Sequence, residues 1–503
     1  MHPLAFRRPL RGPVAMGLLA AVLAAPGLAQ VPVRPDVPAH TPVSPPPSAD
    51  APLPEANRRI DERRSEQPFT VDLFDRPVAL RLGYELSVER RRNFDLNRAR
   101  DRDRRTRDQE LKADARFSPL ADVTVFAQAV ALSEVRHQPA TGVVTREEGL
   151  QRGELWVRID RLFGSRWSLQ AGRIPLVERR TFWWDEDIDA LRVMTGGENW
   201  RFETGVGREL ARKASFDPGI DPKHRGVRRW FGQAAWTWAS RQALELFWLH
   251  ADDRSGVPAA GSGWREADAD GADARLTWLG LRASGSGRGA GGARWAYWVD
   301  VAGVAGRETL TPFRAASGDL RVAGESRTRR VRGQAFDLGV QGSWAGATRP
   351  TLTLAWAAGS GSAPGAPVDR NFRQTGLQEN KARLSGVKRL QRYGELFDPE
   401  LSNLRVATAG FGLRLAENTS VELVAHQFRQ VVASPQIADT RLSQAPAGTS
   451  PRLGREFDLF FAWRESRHLE ITFLVARFLP GAAYAPDRRD AATGIELGLA
   501  LNY

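Results

Sequence analysis

The final nine residues alternate strictly. Ile495, Leu497, Leu499, Leu501 and Tyr503 are apolar, and the positions between them are small or polar. A period of two with one wholly apolar face describes a strand set between a greasy medium and a wet one. The texture recurs upstream. Val78, Leu80, Leu82, Tyr84, Leu86 and Val88 alternate with Ala79, Arg81, Gly83, Glu85, Ser87 and Glu89. Leu111, Ala113, Ala115 and Phe117 likewise alternate with Glu110, Lys112, Asp114 and Arg116. This pattern predicts an all-β, transmembrane antiparallel β-barrel with lipid on one face of each strand and an aqueous lumen on the other.

The links between strands also alternate, short with long. Short ones fall near 118–122, 161–165, 195–199, 239–241, 284–293, 346–349, 417–419 and 466–468. Long ones fall near 90–107, 136–148, 175–188, 214–227, 253–271, 309–330, 361–402, 433–454 and 479–491. Tight periplasmic turns and long extracellular loops mark a bacterial outer-membrane barrel. Nine long loops give about 18 strands, with both termini periplasmic; the phase is ambiguous over 123–132 and 404–415. A cylinder of 16 to 18 strands encloses an aqueous channel unless loops fill it. Trp230, Trp236, Trp238, Trp248, Trp278, Trp295, Trp298, Trp344, Trp463 and Tyr503 lie near strand ends, where interfacial girdles place aromatics.

Composition sharpens this. Arg7, Arg8 and Arg11 precede an apolar run from 14 to 25 and small residues up to Ala29, so residues 1–29 read as a secretory signal peptide. That run is too short for a spanning helix, and no later stretch approaches the roughly 20 apolar residues a span needs, which leaves only a closed barrel for a membrane-embedded chain. Residues 30–68 are Pro-rich and aperiodic, and are expected to form a disordered periplasmic tail. The barrel is assigned 69–503. Mean hydropathy is −0.40, too polar for a helical membrane protein. Cysteine is absent, which excludes disulfides and thiolate metal sites. The net charge is +13, or +10 without the three leader arginines. That excess points to an anionic partner; export argues against nucleic acid.

Predicted lumen-facing positions carry both signs: Arg81, Glu85 and Glu89; Lys112, Asp114 and Arg116; Arg152, Glu154 and Arg158; Glu456, Asp458 and Arg464. Cross-strand pairing accounts for many such charges. A conduit must also attract its passenger without trapping it, and mixed charges with excess arginine suit a moving polyanion. The first long loop, 90–107, holds nine arginines; a solvated charged loop is the commoner explanation, and lipopolysaccharide phosphates or an acidic polymer are its candidate ligands. No catalytic, metal or cofactor motif stands out. Gly287-x-Gly289-x-x-Gly292 sits between strands and opens no helix, so it is a flexible turn rather than a dinucleotide site. His250 and His426 lie on separate strands without a serine pattern nearby.

Two stretches carry a resemblance. The first runs from Gly153-Glu154-Leu155-Trp156-Val157 through Gly172-Arg173 and Trp183-Trp184-Asp185 to Trp200-Arg201-Phe202-Glu203. The second comprises Phe372-Arg373-Gln374-Thr375-Gly376-Leu377-Gln378-Glu379-Asn380, Arg392-Tyr393-Gly394-Glu395 and Glu400-Leu401-Ser402-Asn403-Leu404. With His250-Ala251-Asp252-Asp253 and Pro480-Gly481-Ala482-Ala483-Tyr484, these resemble the alginate export family of outer-membrane channels. The resemblance implies 18 strands and secretion of an anionic polyuronate past an electropositive zone. Carried over by position, Arg152, Arg173, Lys381, Lys388, Arg389 and Arg392 are candidate selectivity residues with Asp185 as an acidic counterpart; Arg81 joins them from the strand pattern. Thr472 and Leu474 stand where the family is basic, and the turn at 466–468 is too short for the periplasmic plug the family uses.

The expectation is a monomeric outer-membrane channel, not an enzyme, that exports an anionic polysaccharide such as alginate. Outer-membrane lipid surrounds it, and a periplasmic secretion complex is a possible feeding partner. The alternatives are an anion-selective or general porin for small solutes or oligosaccharide uptake, and a barrel enzyme acting on lipid or polymer.

Overall fold

The computed structural model describes residues 69–503 apart from 101, 466 and 467; the expected signal peptide and Pro-rich tail lie outside the described residues. Eighteen antiparallel strands close into a cylinder. They are β1 (Arg76–Arg92), β2 (Arg104–Leu120), β3 (Val123–Gln138), β4 (Val143–Ile159), β5 (Ser168–Val177), β6 (Asp185–Gly196), β7 (Trp200–Gly207), β8 (Arg228–Ala239) and β9 (Gln242–Asp252). There follow β10 (Ala272–Arg288), β11 (Arg294–Leu310), β12 (Arg327–Ser343), β13 (Thr351–Gly359), β14 (Leu404–Ala416), β15 (Thr419–Gln430), β16 (Arg452–Arg464), β17 (Leu469–Pro480) and β18 (Ala492–Asn502). Closure joins β1 to β18, from Gly83 opposite Asn502 to Arg92 opposite Thr493. The Tyr503 and Leu82 backbones then exchange two 2.8 Å hydrogen bonds. Among the described residues no helix is long and apolar enough to cross a membrane.

Alternation does what the pattern predicts. Leu80, Leu155, Leu191, Leu279, Val301, Val340, Leu354, Leu423, Leu459 and Leu497 are exposed on the outer wall. Asp114, Glu154, Gln233, Glu245, Arg282, Asp300, Asp337, Glu422, Glu456 and Asp458 turn inward and are buried. Strands of 17 residues, such as β1 and β11, exceed the roughly 9–11 needed to cross lipid and run on beyond it.

Two expectations change, and the ambiguous phase finds its cause. The second long loop shrinks to residues 139–142, because β3 and β4 pair all the way to Gln138 opposite Val143, so that residues 143–148 extend the ribbon. The phase is obscure in β3 because its register with β4 slips between Ala127 and Ala129. In β14 it is obscure because inward Leu404 and Val406 are buried too. Trp278 and Trp298 leave the girdle and face inward, donating from Nε1 to the Arg373 carbonyl at 2.7 Å and to Asp337 Oδ1 at 2.7 Å.

The cause of buried apolar groups inside the barrel is that loops fold into it. Loop 3 (residues 178–184) brings in Phe182, Trp183 and Trp184, and loop 7 (residues 360–403) brings in Phe372, Leu377, Tyr393 and Phe397, all buried. Trp183 stacks on Phe247 at 5.2 Å between ring centres. The inward face of β10 makes room with Gly280, where a Cβ would fall 2.0 Å from the Trp183 ring. Phe397 packs against Phe428 and Phe478 at 4.7 and 5.0 Å. Loops 3 and 7 therefore narrow the cylinder from this side.

Candidate functional site

Loop 3 reaches the lumen because β5 bends. β4 pairs with β5 only from Ile159 opposite Leu169 to Leu155 opposite Arg173. At Gly172 the backbone turns to φ +125°, and a Cβ there would meet the Leu155 carbonyl oxygen at 2.2 Å. Only glycine tolerates that combination cheaply. Beyond it Arg173 to Val177 are all buried, and the β5–β6 hairpin carries its tip inward.

A ladder of alternating charge fixes the tip. Glu178 accepts from the Arg282 guanidinium and from the backbone N–H groups of Arg180, Phe182 and Trp183 at 2.8, 2.5 and 3.0 Å. Arg282 donates from Nε to Asp300 at 2.6 Å. Asp300 and Asp337 stand directly opposite each other on β11 and β12, a repulsive arrangement by itself. Arg180 inserts between them at 3.2 and 3.3 Å and lies over the Trp298 ring at 4.1 Å. Arg392 of loop 7 completes the ladder at 2.8 Å from Asp337 Oδ2, beside the Tyr393 hydroxyl at 3.0 Å. Burial alone would raise the Glu178 carboxyl, but the Arg282 guanidinium overrides it and holds the group at about 2. Burial, reinforced by the Arg392 charge, brings Arg180 down to about 10.

Loops 3 and 7 are also sewn together. The Asn380 backbone N–H donates to the Thr181 carbonyl at 3.0 Å, and the Asp185 backbone N–H at the start of β6 donates to the Leu377 carbonyl at 2.5 Å. Loop 7 then descends, with Ser385 on Glu422 at 2.7 Å, Val387 on Ser420 at 3.1 Å and Lys388 3.7 Å from Glu470 near the start of β17.

A cavity of about 280 Å³ lies against β1–β6. Arg81, Lys112, Arg152, Arg173 and Lys213 line it with Glu110, Asp114, Glu154, Glu186, Asp187 and Glu379: five cations and six carboxylates. Arg152 makes a two-pronged contact with Asp189 at 3.1 and 3.0 Å. Glu209 of loop 4 (residues 208–227) takes both Arg152 at 3.1 Å and Arg173 at 3.2 Å.

Of the eight residues singled out from sequence, the fold thus brings Arg81, Arg152 and Arg173 to one cavity. Arg392 is buried in the ladder instead. Lys381 pairs with Glu379 at 2.7 Å, Arg389 lies 3.9 Å from Asp185, and Lys388 is carried downward. The ladder's Glu178, Arg180, Arg282, Asp300 and Asp337 escaped sequence reasoning. Arg282 and Asp300 are cross-strand partners that exact registration would have exposed, but no sequence signal marks Glu178 or Arg180. His250 and His426 each meet a threonine, Thr277 and Thr408, at 2.8 and 2.9 Å.

Strand number, closure, an apolar outer wall and a loop-narrowed charged lumen define an outer-membrane β-barrel channel. The family model described as alginate export matches residues 77–495. The chain belongs to that family. Alginate production protein AlgE of Pseudomonas aeruginosa is 28% identical over 350 residues, 63% of this chain and 67% of that protein. Its namesake from Pseudomonas syringae pv. tomato is 25% identical over 272 residues, 52% and 51% of the two chains. The fold is similar to the crystal structures of Pseudomonas aeruginosa OccK7 (OpdD) and OccK5 (OpdH). Their TM-scores are 0.51 and 0.50 at 10% and 11% identity, each covering 85% of this chain and 99% and 98% of theirs. The protein resides in the Gram-negative outer membrane.

Proposed function

We propose that this channel exports alginate or a related polyuronate, passively and without making or breaking a bond, along the wall formed by β1–β6. The observation that carries the reading is the Arg152–Arg173 pair, held at the cavity by the shared carboxylate of Glu209. Guanidinium groups already engaged by carboxylates exchange one carboxylate for another, so a passing uronate is recognised without being trapped. The six carboxylates that face five cations in the cavity favour, as a second reading, a small-solute porin. Lipopolysaccharide at the arginine-rich first loop and a periplasmic complex feeding the polymer complete the proposed partners.

Efflux from liposomes tests it. Fluorescent mannuronate oligomers should leave vesicles faster than neutral dextran of equal size, and R152A with R173A should bring the two rates together. Equal rates through the unsubstituted protein would favour the porin.

A further inference from the structure

Where the β5–β6 hairpin turns inward, the barrel wall loses its partner for the upper half of β4. Loop 4 repairs the gap from above. Arg152 donates its backbone N–H to the Lys213 carbonyl at 2.9 Å, Ser215 donates to the Leu150 carbonyl at 2.8 Å, and Gln151 bridges to Ala214. The repair is thin. Arg152 and Arg173 line both the luminal cavity and a second hollow on the other side of the wall.

That second hollow measures about 980 Å³. Leu150, Leu155, Leu191, Val206, Leu210 and Trp230 line it, and each is exposed, Leu150 by 65% and Leu155 by 62%. Five are aliphatic, on a surface continuous with the lipid-facing wall, so the hollow opens to the bilayer. Arg208 and Arg228 line it as well. Both are exposed, and neither takes part in an ion pair among the described residues. Their height is set by Trp230, two residues from the extracellular end of β8, where an interfacial aromatic marks the headgroup level. An apolar hollow left empty forfeits dispersion contacts along its whole lining, and two unshared guanidiniums at headgroup height match phosphate geometry.

We infer that this hollow is a specific site for an acylated, phosphate-bearing glycolipid of the outer leaflet, with acyl chain against Leu150, Leu155, Leu191 and Val206 and phosphate on Arg208 and Arg228. The site is independent of what passes through the lumen.

Native mass spectrometry of the detergent-solubilised full chain tests it, with four added probes: bisphosphorylated lipid A, dephosphorylated lipid A, phosphatidylglycerol and inorganic phosphate. One lipid A per barrel should survive activation that strips the other three. R208Q with R228Q should lower its retention at least tenfold, while the variant keeps the heat-modifiable gel mobility of a closed barrel. Filling the hollow with L191W, away from the arginines, should lower retention as well. Equal retention of dephosphorylated lipid A or phosphatidylglycerol would overturn the glycolipid assignment. Retention unchanged in both variants, or displacement of lipid A by millimolar inorganic phosphate alone, would overturn the site.

Discussion

Arg392 Nη1 lies 2.8 Å from Asp337 Oδ2, and this contact ties the centre of loop 7 to the barrel wall. Asp337 also holds Arg180 at 3.3 Å, so one carboxylate anchors both loops that narrow the lumen. Removing one partner of a buried charge network typically costs about 3–5 kcal/mol, because the remaining charges are left uncompensated. D337A should therefore lower the urea midpoint of unfolding and convert a steady, small single-channel conductance into a larger, noisy one. An unchanged conductance would mean the loops are held by packing alone.

Gly280 is a packing prediction. A methyl group there collides with Trp183, and overfilling a close-packed site costs roughly 1–3 kcal/mol. G280A should displace the loop 3 tip and raise conductance without altering barrel closure on a gel.

Glu209 neutralises Arg152 and Arg173 from loop 4. E209Q should release Arg173 for the passenger and leave Arg152 held by Asp189. Block by mannuronate oligomers should tighten by up to roughly fivefold, equivalent to the ~1 kcal/mol of a partly exposed ion pair. Weaker block in E209Q would show that Glu209 orients the arginines rather than competing with the substrate.

Glu395 gives the channel a pH dependence. Burial raises its carboxyl from 4.5 to about 7, partly offset by the Gln391 N–H that it accepts. The fold thus prefers the protonated form, so this contribution is complete below about 4.5 and is lost as pH rises through 7. The loss is of order 3 kcal/mol at alkaline pH. Hydrogen-exchange protection of loop 7, corrected for the intrinsic pH dependence of amide exchange, should fall between about pH 4.5 and 7 in the native protein and stay flat in E395Q. The same slope in both would remove Glu395 as the titrating group.

How much of this was legible follows from which medium each residue faces. Lipid imposes a uniform demand, so Ile495 and Leu497, or Leu80 and Leu82, announce their face from sequence alone. The interior imposes no such uniformity. Leu404 and Val406 turn inward onto loop 7, and Trp278 and Trp298 turn inward to loop backbone and Asp337, because a distant segment fills the lumen beside them. That segment's path depends on Glu178 finding Arg282 across 104 residues, which no local period encodes. Arg81 and Arg152 were legible as inward positions of β1 and β4 and Arg173 through the family resemblance, whereas the burial of Arg392 depends on the ladder and was not.

The central claim is that the narrowed lumen favours a polyanion, and planar-bilayer recording tests it most directly. Under a salt gradient the reversal potential should report anion preference, and mannuronate oligomers added on the periplasmic side should block the current in a way that R152A with R173A relieves. Cation preference, with no block by the oligomers, would contradict the account.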